Sequence, residues 1–518
     1  MRQTDMGDSK NRNDCENSES GSNIPNSSKP DSNTIASFEI NTSSELNASS
    51  ELNASSEITE GVSLLIGDPK KAVLKLSGPM IVAMMIMAGY NLVNAVWVSG
   101  LGSDELAAVG FVTPVFMILV GLGNGIGAGV SSAISRRIGA KDKSGADKVA
   151  MHALLIALVL SLFLTLPLYY FLEPILKLLG AGSTIGLAMD YGRIVFAGTI
   201  LLIFEMIAYS ILRAEGDTKR TMYVMSASSI INAILDPILI YYAGMGVAGA
   251  AWGTVISIAL AAIVLFYWLL IKKDTYIDLH LKAFSFDWAI LKDILNVGFP
   301  ASLEFLLFSI DGIVLNEILV HVSGTDAVAV YTGGLRVVMM AIIPMAAIGT
   351  ATISVAAAAF GSRNYRNIRI IHEYSIRLGL MIGIGISALT WLLAPQIAVI
   401  FTYTPESSHL APTFIAFLQT MCLFYPFVSP GIMSACVFQG VGKGFISLVL
   451  NLLRVLIFVA VLAFIFGIVF GGGQEGVWRG IVLGNMMGGI ISYLSARLYI
   501  SRLVPEEDQW HTEPKVNT

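Results

Sequence analysis

Charge is what this sequence has least of. Only 13% of its 518 residues are Asp, Glu, Lys or Arg, and 55% are hydrophobic, where a soluble protein carries about a quarter charged residues. With a mean hydropathy of +0.71, the scarcity excludes a soluble globular domain and leaves a polytopic helical membrane protein. Cysteine is nearly absent too. Cys15 lies in a polar tail, and Cys422 and Cys436 share one apolar run 14 residues apart. That is roughly 21 Å along a helix, too far for a disulfide, so neither a disulfide nor a metal framework is expected. The net charge of −5 gathers acids in the tails and basic residues between apolar runs, a pattern that argues against nucleic acid. No nucleotide motif is visible. GNGIGAG at Gly123 lies in mid-membrane after no strand, where small residues permit close helix contact. No nucleophile–base pair stands out either, so neither a membrane enzyme nor a pump driven by ATP is expected.

What is present is apolar sequence in twelve runs, about 73–99, 106–136, 149–172, 187–213, 221–243, 247–271, 292–320, 328–360, 370–393, 410–438, 445–469 and 477–501. Each is long enough to cross a bilayer. The loops between them alternate in charge. Lys70 to Lys75, Arg136 to Lys148, Arg213 to Arg220, Lys272 to Lys292, Arg363 to Arg369, Lys443, Arg497 and Arg502 fall on one side, against Lys177 and Arg479 on the other. The positive-inside rule makes the basic side cytoplasmic, with both termini there, in the plasma membrane. Before the first run, residues 1–60 are rich in Ser, Asn, Asp and Glu and contain SSELNASSELNASSE, a composition expected to stay disordered. They lack the pattern of a cleaved signal peptide, and their N-x-S/T matches matter only on an extracellular tail. Residues 61–72 are expected to be an interfacial segment, 272–291 a cytoplasmic linker between lobes at 73–271 and 292–503, and 504–518 a cytoplasmic tail.

The two lobes repeat each other. Pro79 and Pro300 are offset by 221 residues, Gly139 and Gly361 by 222, and Trp252 and Trp478 by 226, a slow drift that suits a duplicated six-helix unit. Six is even, so the halves are related by an axis along the membrane normal. Two such bundles facing one another suit a secondary transporter.

The fifth run holds NAILDP, Asn232 to Pro237. An Asp in hydrocarbon is costly and marks a cavity or a protein interior. Asn232 and Asp236 share a helix face, and Pro237 cannot donate its backbone hydrogen bond, leaving a carbonyl free one turn back. Counted from the outer ends of their runs, Asn94, Tyr191 and Thr254 sit at similar depth to Asp236. Oxygen donors around one carboxylate suit Na⁺ as well as a proton. The bland alternative is an interhelical packing contact. In the second half, Glu304 and Arg454 share one depth and Asp311 and Arg336 another, as neutralising pairs would. Asn91, Met84, Met87, Met206 and Glu205 are candidates for a substrate cavity, since Met adapts to differently shaped apolar ligands. Most Met at such positions is ordinary membrane packing.

The stretches GDPKKAVLKLSGPM, YNLVNAVWVSGLGSDELAAVG, LRAEGDTKR and NAILDPILIYYAGMGVAGAAWGTVIS resemble the multidrug and toxic compound extrusion (MATE) family, closest to its archaeal and DinF-like branch, over about Leu65 to Leu503. The resemblance implies an all-α fold of twelve transmembrane helices in two six-helix lobes. It further implies export of small cationic or amphipathic compounds in exchange for Na⁺ or H⁺, by a monomer among membrane lipids and with no cofactor beyond the coupling ion. In that branch the first-lobe site pairs two aspartates with Asn, Thr and Tyr; Asn232, Asp236, Thr254 and Tyr191 match. Asn94 departs, standing where the branch reads Asp. It can still coordinate a cation but cannot take a proton. Coupling through Asp236 alone is therefore expected to favour Na⁺. The alternative within the superfamily is a lipid-linked glycan or lipid flippase, which would need a strongly basic cavity.

Overall fold

The computed structural model describes residues 59–272, 274–279, 284–403 and 407–503; the expectations for the two tails lie outside them. Helices and no strand form the described residues. Among the described residues, ten helices are long and apolar enough to cross a membrane. Gly182–Ala197 and Thr199–Ala214, bent by 46°, make an eleventh span. The longest helix, Trp288–Gly361, has 74 residues and breaks at Gly324, where φ is 73° and ψ −162°. At about 1.5 Å per residue it would exceed three bilayer cores, so it is two spans joined at a turn that glycine tolerates. Twelve spans result, numbered here in chain order.

Between spans 5 and 6 the sequence punctuation is visible in the backbone. Pro237 ends the regular helix of span 5, and Ile238–Tyr242 continues as a π-helical turn. Residues 69 and 68 start span 1 with Pro at the first position and an Asp68 cap on Lys70 N, the arrangement a helix start favours. Ahead of it, the short helix Glu60–Ile66 is capped by Thr59. Its Val62 and Leu65 are buried, so this segment seats on protein as well as leading into span 1.

The lobes meet along spans 2, 7, 8 and 10, at the end that carries the basic loops. Ser131 and Ser354, one from each lobe, share a 2.9 Å hydrogen bond. Ser132 Oγ donates to the carbonyls of Gln439 and Gly440 at 2.6 and 3.0 Å, and Arg136 pairs with Asp293 at 3.0 Å. The repeat glycines do reciprocal work here. A Cβ on Gly139 would strike the Ala358 carbonyl, and one on Gly361 would strike the carbonyl of Arg136. The tight approach continues up span 2 at Gly129 and Gly125 as far as Gly121, whose Cβ would lie 2.8 Å from Phe305 Cβ. Beyond it Met117 and Ile118 are exposed. A small recess opens there, lined by Met117, Ile118, Leu122, Ser302, Phe305, Leu306 and Ser309.

Candidate functional site

Span 5 turns Asn232 and Asp236 to the same interior face, as four-residue spacing requires; both are buried, Asp236 completely. The neighbour that makes room is a residue without a side chain. A Cβ on Gly253 of span 6 would strike Asp236 Oδ1 and come within 3.4 Å of Asn232 Oδ1. Thr254, next in sequence, accepts from Asn232 Nδ2 at 3.4 Å. Span 1 closes the group through Tyr90, whose hydroxyl accepts from Asn232 Nδ2 at 2.7 Å and from Asn94 Nδ2 at 3.0 Å. Tyr191 of span 4 stands within the electrostatic reach of Asp236 and Tyr90.

The notable feature is what the acceptors lack. Both carboxylate oxygens of Asp236, Oδ1 of Asn232 and Oδ1 of Asn94 are buried without a hydrogen-bond partner. No Lys, Arg or His among the described residues forms an ion pair with Asp236. Orphaned buried acceptors are rare, because each costs about 1–3 kcal/mol and more when charged. Four acceptors with no donor or cation among them have the chemistry of a small-cation site. Tyr90 and Gly253 went unnoticed in the sequence. Tyr90 lies one turn before Asn94, a spacing that could have revealed it; Gly253 contributes only space and leaves no polar signal.

The second lobe is arranged differently. Glu304 accepts from Ser447 Oγ at 2.7 Å and from Gln439 Nε2 at 3.4 Å. Arg454, on a π-helical stretch of span 11, donates to Asn451 at 3.0 Å and lies over the Phe308 ring at 5.9 Å. Its stem passes where Gly488 has no side chain. Arg454 is the cation that acts electrostatically on both Glu304 and Asp311. The expected Asp311–Arg336 pair is thus corrected: Arg336 is exposed, and Arg454 alone serves two acids without touching either at ion-pair distance.

Two cavity candidates sit away from the recess. Glu205 is buried inside the first lobe, accepting from Tyr209 Oη at 2.6 Å, and Met206 packs on Gly123 of span 2. Neither lines the recess between the lobes. Asn91 and Met87 are exposed and Met84 half-buried on span 1, outside the group around Asp236.

The MatE family model matches residues 79–238 and 300–465, more than half of the chain and one match per lobe. The chain is a MATE family transporter. It is 28% identical over 441 residues to the multidrug export protein MepA of Staphylococcus aureus (strain NCTC 8325 / PS 47), covering 85% of this chain and 96% of that protein. It is 28% identical over 438 residues to an FAD transporter of Shewanella oneidensis, covering 82% and 94%. A crystal structure of a MOP superfamily transporter from Pyrococcus furiosus superposes with a TM-score of 0.84 at 42% identity, covering 86% of this chain and 99% of that one. Another, described as the outward-facing conformation of a multidrug resistance MATE family transporter, gives the same values. The MATE fold thus accounts for the two six-helix lobes.

Proposed function

We propose that this MATE transporter is a multidrug exporter coupled to a cation, with Asp236 as the coupling residue and Na⁺ as the favoured ion. The observation that carries the reading is the fully buried Asp236 carboxylate with neither oxygen partnered. One negative charge among the free oxygens of Asn232 and Asn94, with Thr254 alongside, balances one monovalent cation. Asn94 brings a carbonyl oxygen where a second carboxylate would bring charge, so no like-charge repulsion drives Asp236 to hold a proton. The MepA relatives are named for multidrug export, and small amphipathic or cationic compounds are the substrates this reading expects.

Coupling requires that the cation and the substrate bind the two states of the molecule differently. The basic end, taken as cytoplasmic, is closed by the seam of Gly139, Gly361, Ser131 and Ser354, while the recess lies beyond it toward the other end. Alternating access then means parting this seam and closing the opposite side. The flippase alternative finds less support, because Arg454 is held between Glu304 and Asp311 and leaves no strongly basic cavity. Reconstitution in proteoliposomes tests the reading. An imposed Na⁺ gradient should drive ethidium-like substrate flux; flux driven by pH alone and indifferent to Na⁺ would overturn the ion assignment.

A further inference from the structure

The lobes differ at the basic end in a way the repeat does not predict. In the first lobe, residues 274–279 and 284–287 lie as a strap across the ends of the spans. Asp278 pairs with Lys143 at 2.6 Å, Asp274 with Arg220 at 2.9 Å, and Ile277 is fully buried. Phe284 and Phe286 cover His152 at 5.1 and 5.7 Å between rings. His372 is the second-lobe counterpart of His152, offset by 220 residues, and there the aromatic ring against it among the described residues is Tyr493, stacked at 5.6 Å. Beside it lies an open groove between spans 9, 10 and 12, lined by Glu373, Ile376, Arg377, Pro430, Tyr493 and Arg497.

The charges in this groove do not cancel. Glu373 is engaged by Arg369 at 3.1 Å, leaving Arg377 a long 3.6 Å contact with the same carboxylate and 76% of its side chain exposed. Arg497 is exposed and forms no ion pair among the described residues. Both arginines stand at the start of apolar exposed stripes. One turn on from Arg377 is Met381, 62% exposed, then Ile384; Leu494 and Leu498 flank Arg497. Guanidinium groups beside outward apolar stripes, at the end where basic loops gather, match a ligand with an anionic head and a hydrocarbon body. We propose that this groove binds the phosphate headgroup of an anionic phospholipid from the leaflet at the basic end, with Arg377 and Arg497 as its ligands and acyl chains along Met381, Ile384 and Leu494. Its leaflet takes the name cytoplasmic only through the orientation given above; the site itself is independent of the coupling reading.

Native mass spectrometry of the full chain in detergent tests this with added dioleoyl phosphatidylglycerol against phosphatidylcholine. The chain should prefer phosphatidylglycerol by about thirtyfold, two basic side chains' worth of attraction. The Arg377→Gln/Arg497→Gln double variant should lose most of that preference, and Arg377→Lys/Arg497→Lys, which keeps the charge, should retain it. An undiminished preference in the glutamine variant overturns the proposal. So does displacement of the lipid by millimolar glycerophosphoglycerol, which would make the ligand a soluble phosphate. A chain ending at Leu503 that gains phosphatidylglycerol affinity by the same factor would also overturn it, because residues 504–518, with Glu506, Glu507 and Asp508, would then be the native occupant. Substrate flux under an Na⁺ gradient stays intact in the double variant, which separates this site from the one at Asp236.

Discussion

The two lobes descend from one six-helix pattern, yet they treat buried carboxylates in opposite ways. In the second, Glu304 and Asp311 come with an internal cation, Arg454, and Glu304 has Ser447 and Gln439 as donors. In the first, Asp236 has no cation and no donor. A buried charge is expensive when unmatched; the second lobe places Arg454 within electrostatic reach of both acids, although Asp311 Oδ1 accepts no hydrogen bond, whereas no cation acts on Asp236. That difference makes Asp236 the stronger candidate for coupling. It also explains why the number of acids is a poor guide to function; what matters is which of them lacks a partner.

The largest expected effect breaks the asymmetry outright. Asp236→Asn removes the unmatched charge, and Na⁺-gradient-driven flux should fall to the protein-free background while substrate binding, read by fluorescence anisotropy, survives. Asn94→Asp should instead move dependence from Na⁺ toward pH, since two carboxylates in one cavity favour retaining a proton. If Asp236→Asn keeps its coupling, the first lobe is not the site.

The second lobe supplies the converse. Arg454→Ala leaves two half-buried acids without their nearby cation, a loss with an upper bound of about 3–5 kcal/mol, that of a fully buried pair. Thermal unfolding in detergent should shift accordingly, with a lower folding yield but little change in flux per folded molecule. Arg336→Ala, at an exposed position, should stay within about 0.5 kcal/mol. Equal losses from both would restore the pairing that depth alone suggested.

A smaller effect sharpens the first-lobe geometry. Tyr90→Phe deletes the hydroxyl that holds Asn232 and Asn94 together. A hydrogen-bond network of that size contributes about 1–3 kcal/mol when one partner is lost, so the Na⁺ concentration at half-maximal flux should rise by about tenfold with maximal flux retained. An unchanged Na⁺ dependence would place the ion elsewhere.

The smallest concerns the strap described on the first lobe. Burial pushes the Glu215 carboxyl up to about 8, against the Ile277 N–H that it accepts at 3.2 Å; nearby Asp217 adds to the rise and Arg220 opposes it. A group that holds its proton more tightly when docked stabilises docking at low pH. The strap should therefore be firmest below the ordinary glutamate range and loosen as pH rises through about 8. Hydrogen exchange at Ile277, corrected for its intrinsic pH dependence, reads this directly. Glu215→Gln should flatten the dependence.

How much of this could be read from residues alone follows from what a sequence encodes. The spans, their charge asymmetry and the repeat are one-dimensional patterns; Gly139 and Gly361 stood out only as a repeat offset, and their contact across the lobes appears in three dimensions alone. Asp236 and Asn232 were visible because their spacing fixes a shared face. The Asp311–Arg336 pairing failed because depth is one coordinate and the angle around the helix is another; Arg336 has the right height and the wrong direction. Glu205 and Met206 lie away from the recess between the lobes, on a helix whose neighbours pack around it. The Glu60–Ile66 helix gave no sign of its protein contacts, since a short amphipathic segment looks alike on lipid or on a folded surface.

The seam at Gly139 and Gly361 has a mechanical consequence. At these two glycines main chain meets main chain, so parting them leaves no side-chain hole to be refilled, although the Ser131–Ser354 and Arg136–Asp293 contacts beside them would have to part as well. The seam is also intolerant of bulk: a single methyl group at either glycine would prop it ajar, trading a reversible latch for a leak.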